Sequence, residues 1–273
     1  QRQMCIRDRL YTYSKSPDGK LEEEELVVNN KLIFCNKNSV LTLDDVEFPM
    51  DSAVKANLAN NANNVSIVNF LLTSYPLAKE HYLLKLQQFV NSMLWFRSVE
   101  KNEFMGLATA PANLDEYIIK NQLTRDFEDF IHRVSGQSFE FQEPKDDDKE
   151  LYCVFGLGRI PFDKIASTGT QSLMLLYYWL KQMTNASFVF IDEFDAFYHF
   201  RLSYEVCKTL FALPCQAFTS SHNTYLMTND LLRPDCNFIL QDNKIKPLSD
   251  CTQKELRFGH NIEKMFRGNA FEV

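Results

Sequence analysis

The sequence predicts an α/β protein with a mostly parallel sheet, preceded by a small antiparallel β region and a helical insertion. Three observations carry that expectation. After Glu150, short apolar strands alternate with helices of about a dozen residues, the pattern of βαβ units. Residues 49–141 show apolar side chains at helical spacing. Residues 10–48 read as short strands separated by turn signals.

Residues 1–9 begin without methionine, are basic, and lack the apolar stretch of a secretory signal; they read as a non-native leader, a junction or assembly scar. From Leu10 to Phe48 come LYTYS, an SPDGK turn, ELVVNNKLIFC with Asn29-Asn30 at a hairpin tip, and SVLTL, the β region of a larger core. In residues 49–141 the clearest piece is KEHYLLKLQQFVNSMLWF, where Leu83, Leu86, Val90, Met93 and Leu94 recur at helical spacing. DEYIIKNQLTRDFEDFIHRV follows as one or two further helices. QEPKDDDKE (142–150) is a charged, proline-bearing loop that opens the C-terminal lobe, 142–273. That lobe reads as strand LYCVFGL, helix TQSLMLLYYWLKQM, strand SFVFI, helix LSYEVCKTLFAL, strand QAFTSS, then CNFIL and NKIKPL. In parallel sheets ligands bind beyond the carboxyl ends of the strands.

With 45% hydrophobic and 13% aromatic residues among 273, the chain has ample core material. A net charge of −7 and a pI near 5.3 argue against broad attraction to nucleic acid or to an anionic membrane. Seven cysteines without a CxxC pair suit the reduced thiols of a cytoplasmic protein better than a disulfide framework or a zinc site. No apolar run approaches the roughly 18 residues of a membrane helix.

Three segments carry chemistry. FVFIDEFDAFYH (188–199) drives an apolar strand into Asp192, Glu193 and Asp195, and carboxylates crowded there repel one another unless a cation, a proton or hydrogen bonds offset the charge. In a nucleoside triphosphatase the first such acid holds Mg²⁺, usually through water, and the second polarises an attacking water; the alternative is an acidic pair that caps the next helix. ASTGTQS (166–172) precedes an apolar helix: Ser167 suits a cap, Gly169 admits close backbone approach, and the free N–H groups of a first turn favour an anion, or the segment is an ordinary N-cap. FTSSHNT (218–224) ends the next strand and brings His222 to the same sheet edge as Asp192.

In that order the segments resemble the C-terminal half of ABC-like AAA-family ATPases, the branch that includes SMC, RecF-like and OLD-like proteins. HNTYLM, LLRPD and GHNIEKMFRGNAF look like a prokaryotic group of these ATPases with a helical insertion between the halves of the core. The resemblance implies a P-loop NTPase fold with ATP and Mg²⁺ as cofactors. It makes Asp192 the Walker B acid linked to the metal, Glu193 the catalytic carboxylate and His222 the switch histidine near the γ-phosphate. Asp195 falls in the D-loop region. Ser167, Gly169 and Gln171 correspond to a signature that reaches across a head-to-tail homodimer, an ATP sandwich; Thr170 stands where the better-known signature has a second glycine. Relatives work in DNA maintenance and defence against phage, but the sequence names neither an effector protein nor a nucleic-acid face, and implies no membrane.

A P-loop, G-x-x-x-x-G-K-[ST], occurs nowhere in the 273 residues. In the resembling family it lies near the N-terminus, so the chain reads as a fragment that alone binds ATP weakly and hydrolyses it negligibly. Two other readings are a divalent-metal hydrolase or nuclease built on Asp192, Asp195, His199 and His222, and a non-catalytic interaction module with a vestigial ATPase lobe. His260, Lys264 and Arg267 share a helical face that either touches phosphate or complements a helix dipole.

Overall fold

Four strands, β1 (Arg9–Lys15), β2 (Leu21–Val28), β3 (Lys31–Lys37) and β4 (Val40–Leu43), pair antiparallel in chain order. Asn29 and Asn30 close the second hairpin in left-handed backbone, φ 51° and 62°, which asparagine tolerates and a two-residue hairpin requires. The structure is a computed structural model describing residues 9–37, 40–96, 104–106, 111–145 and 147–272. Its contacts divide the chain into two units, Gln1–Gln88 and Phe89–Val273.

In the first unit Leu26, Ile33 and Phe34 of the sheet form one core with Leu58 of α1 (Ser52–Asn61) and Ile67 and Leu71 of α2 (Ile67–Ser74). Glu24, fully buried on β2, accepts hydrogen bonds from Ser66 Oγ (2.6 Å), the Ile67 amide (2.6 Å) and the Tyr11 hydroxyl (2.9 Å). A buried carboxylate without such partners would cost several kcal/mol; here it satisfies the start of α2 instead. Helix α3 (Tyr82–Asn91) carries the chain across the division between the units.

The second unit holds β5 (Met93–Phe96), β6 (Phe104–Gly106), α4 (Leu114–Lys120), α5 (Thr124–Ser135), β7 (Tyr152–Phe155), β8 (Gly158–Pro161) and α6 (Phe162–Ile165). It continues through α7 (Thr168–Met183), β9 (Phe188–Ile191), α8 (Phe200–Phe211), β10 (Gln216–Thr219), β11 (Phe238–Gln241), β12 (Lys244–Pro247) and α9 (Ile262–Arg267). The central sheet has the order β10-β9-β5-β6; β10, β9 and β5 are mutually parallel and β6 is antiparallel. Leu94, Val189 and Ile191 from the sheet, Leu173, Leu176 and Trp179 from α7, and Val206 and Leu210 from α8 share one core.

This confirms an α/β fold with a parallel sheet and corrects how it is built. Met93 and Leu94, read as the end of a helix, lie on β5: the helix stops at Asn91, and Met93–Phe96 pairs with β9 over its whole length. A four-residue apolar run carries no decisive period, and here pairing decides, with Trp95 stacked on Phe190 and Phe96 on Trp179. LYCVFGL supplies no strand to the parallel sheet; its β7 turns back at once as the β7–β8 hairpin. CNFIL and NKIKPL likewise form the separate β11–β12 hairpin. The division at Gln88 and Phe89 also places α4 and α5, read with the helical insertion of 49–141, in the unit that holds the parallel sheet.

Candidate functional site

Parallel pairing of Ile191 with Thr219 brings the ends of β9 and β10 level, so the segments that follow, Asp192–Asp195 and Ser220–Asn223, emerge side by side. The Asp192 amide still bonds the Phe96 carbonyl (2.9 Å), extending the ladder with β5 by one residue. The chain then kinks: Glu193 adopts left-handed backbone, φ 48°, a conformation that costs a residue with a β-carbon about 1–2 kcal/mol. Its side chain is left exposed while Phe194 drops into the core.

Two serines fix the acids. Ser220 Oγ donates to Asp192 Oδ1 and accepts the Glu193 amide at 2.7 Å. Ser221 Oγ donates to Asp195 Oδ2 at 2.7 Å and accepts the Asn223 amide at 2.9 Å. Glu193, Asp195, Ala196, His222 and Asn223 line an open cleft of about 380 Å³. Three of the sequence-derived candidates, Glu193, Asp195 and His222, therefore meet in one cleft. Asp192 is half-buried and is not part of the lining.

Ser167, Gly169 and Gln171 are not in that cleft. Ser167 caps α7, its Oγ accepting the Thr170 amide at 3.2 Å. Thr170 Oγ1 donates its one proton to Gln137 Oε1 (2.9 Å), so in the 2.8 Å Ser167–Thr170 contact the Ser167 hydroxyl is the donor. Gln171 Nε2 reaches the Asp163 carbonyl (3.2 Å). Tyr198, buried with its phenol pushed far above the usual range by desolvation, donates to the Ser172 carbonyl (3.3 Å) and ties the turn after the acids to α7.

His199 lies outside the cleft as the cap of α8, its Nδ1 accepting the Leu202 amide at 3.4 Å. Among the described residues no group of three or more His, Cys, Asp or Glu is placed to hold a metal, so the set Asp192, Asp195, His199 and His222 does not form a metal centre. Of the C-terminal cations, Lys264 and Arg267 lie on α9, with Arg267 paired to Glu263 (3.0 Å), whereas His260 precedes that helix and its Nδ1 accepts the Arg257 amide. The sequence reading missed Ser220, Ser221 and Asn223. Their signal was present, since two hydroxyls and an amide flank His222 at a strand end, but hydroxyls there are ordinary turn chemistry.

The residues fit the metal-and-water end of a nucleoside triphosphate site. Asp192 has one oxygen oriented by Ser220 and, among the described residues, no hydrogen bond to the other; a water-mediated metal contact needs one such carboxylate. They supply no phosphate cradle, for the sequence holds no glycine-rich loop ending in lysine and a hydroxyl.

Adjacent parallel strands of an α/β sheet end here in an acid pair and a histidine, and Glu193 and His222 face one cleft. A family model described as "AAA domain, putative AbiEii toxin, Type IV TA system" matches residues 53–228, more than half of the chain and all seven candidate residues, and the chain belongs to that family. No curated protein matches it. No helix among the described residues is long and apolar enough to cross a membrane.

Proposed function

We propose that this chain carries the hydrolytic end of a Mg²⁺-dependent ATPase site. The observation that supports it best is the meeting of Glu193 and His222 in one cleft at the carboxyl ends of β9 and β10. The Glu193 carboxylate, exposed and without a hydrogen-bond partner among the described residues, is the base that takes a proton from the attacking water. Asp192, oriented by Ser220, is the acid on the metal side. His222 donates to the terminal phosphate, and Asp195 holds the turn between them through Ser221. When bound, Mg²⁺ neutralises charge on the phosphates. Ser167, Gly169 and Gln171, outside the lining of this cleft, serve the nucleotide of a second copy in a head-to-tail homodimer.

The lysine and backbone amides that grip a triphosphate come from a loop the 273 residues do not contain, so this polypeptide alone binds ATP weakly. The test is ATP turnover by these residues joined behind a strand and a G-x-x-x-x-G-K-[ST] loop. Glu193→Gln should retain ATP binding and lose turnover by about 10²- to 10⁴-fold, the range of a general base. Unchanged turnover in Glu193→Gln would remove the assignment.

A further inference from the structure

Ser220 touches four successive residues of the acid turn. Its amide donates to the Ile191 carbonyl (3.0 Å), its hydroxyl donates to Asp192 Oδ1 and accepts the Glu193 amide (2.7 Å), and its carbonyl accepts the Phe194 amide (3.2 Å). The two backbone bonds need only an amide and a carbonyl, which any residue but proline supplies. The two side-chain bonds need a hydroxyl, and they fall on the two acids assigned to chemistry.

We infer that Ser220 is a positioning residue through which the end of β10 sets the geometry of Asp192 and Glu193. The inference rests on the ATPase reading of those acids and adds a residue that acts through them. A serine hydroxyl has one proton, and Asp192 receives it; that fixes the hydroxyl's rotation and leaves its lone pairs facing the Glu193 amide. The Glu193 amide is thereby held where the backbone is strained, at φ 48°, and a strained conformation persists only where its surroundings over-determine it. One hydroxyl thus orients the metal-side carboxylate and stabilises the kink that leaves the Glu193 side chain in the cleft.

Ser221 makes a useful contrast. It also gives its proton to an acid, Asp195, but the amide it accepts belongs to Asn223 of its own segment. Among the described residues only Ser220 bridges Asp192 and Glu193, and it lies two residues before His222.

Amide hydrogen exchange and carboxyl ¹³C resonances of the full chain test the inference without nucleotide, so it can fail while the ATPase reading stands. In Ser220→Ala the Glu193 amide should exchange roughly tenfold faster or more, the factor expected for losing one hydrogen bond of ordinary strength, and the Asp192 carboxyl resonance should move. The Phe194 amide, bonded to a carbonyl that alanine keeps, should stay protected. Ser220→Thr should restore Glu193 protection, and Ser221→Ala should leave it unchanged. In the turnover assay Ser220→Ala should lower kcat roughly tenfold at constant KM for ATP, matching the loss of one oriented hydrogen bond. Unchanged Glu193 protection in Ser220→Ala overturns the inference, as does equal loss at Phe194, which would mean the turn has merely unravelled. A wild-type kcat in Ser220→Ala alongside a strong Glu193→Gln effect overturns it too. If Glu193→Gln has no effect, the ATPase reading falls instead.

Discussion

The carbonyl oxygen of Phe197 lies 3.1 Å from the point a β-carbon on Gly169 would occupy. Gly169 is in the first turn of α7 and Phe197 in the turn after the acids, so the signature-like segment and the acid turn are packed backbone to backbone. Glycine in a helix costs about 1 kcal/mol relative to alanine, which on propensity alone would make Gly169→Ala stabilising. The Phe197 carbonyl has little room to give, because the next residue, Tyr198, is buried and bonded to Ser172. Gly169→Ala should therefore lower the unfolding free energy by about 1 kcal/mol, the usual order for a tight steric misfit, measured by urea titration. An increase in stability would show that the acid turn yields.

Glu193 should be a place where stability and chemistry oppose each other. Its left-handed backbone, φ 48°, suits asparagine better than glutamate. Glu193→Asn is expected to raise the unfolding free energy by about 0.5–1 kcal/mol, part of the strain released, while abolishing turnover as Glu193→Gln does. Urea unfolding reads the first effect and the turnover assay the second. A less stable Glu193→Asn protein would mean that the kink carries no strain.

Asp115 gives a pH dependence with a definite sign. Burial raises its carboxyl above the ordinary value, and the Leu151 amide at 3.4 Å only partly offsets this. A carboxyl raised on folding contributes stability that is fully present below its unfolded value near 3.9 and is lost as pH rises through the folded value. Asp115→Asn keeps an acceptor for Leu151 and cannot ionise. It should melt higher than the wild type at pH 7, with the gap closing as pH is lowered through the acidic range. A constant gap across pH would assign the effect to packing.

Much of the second unit was legible because amphipathic helices and a strand running into acids leave local signatures. Ser167 before α7 and the alternation of α7, β9, α8 and β10 follow from side chains a few residues apart. β5 was not legible, since its four residues, MLWF, extend a helical period, and only the distant strand β9 makes them a strand. The grouping of Glu193, Asp195 and His222 followed from the rule that parallel neighbours end at one edge. Ser220 escaped because its role depends on a kink at Glu193, which no spacing in the sequence records.

Thr170 shows how the signature-like turn departs from the pattern it resembles. A glycine is not required there: the threonine side chain points inward, 2% exposed, and bonds Gln137. Through Thr170 the residue after the C-cap of α5 reaches the cap of α7, since Ser167 donates to the same hydroxyl. Thr170→Gly would remove both hydroxyl bonds, leave Gln137 Oε1 short of a donor and add the helix cost of glycine. It should destabilise the protein by about 2–3 kcal/mol, the sum expected from one lost buried hydrogen bond and one helical glycine. Thr170→Ser, which keeps the hydroxyl, should lose less than half of that. Urea titration of the two variants separates the hydroxyl from the backbone. Equal losses would place the role of Thr170 in its methyl group and leave Gln137 without influence on Ser167.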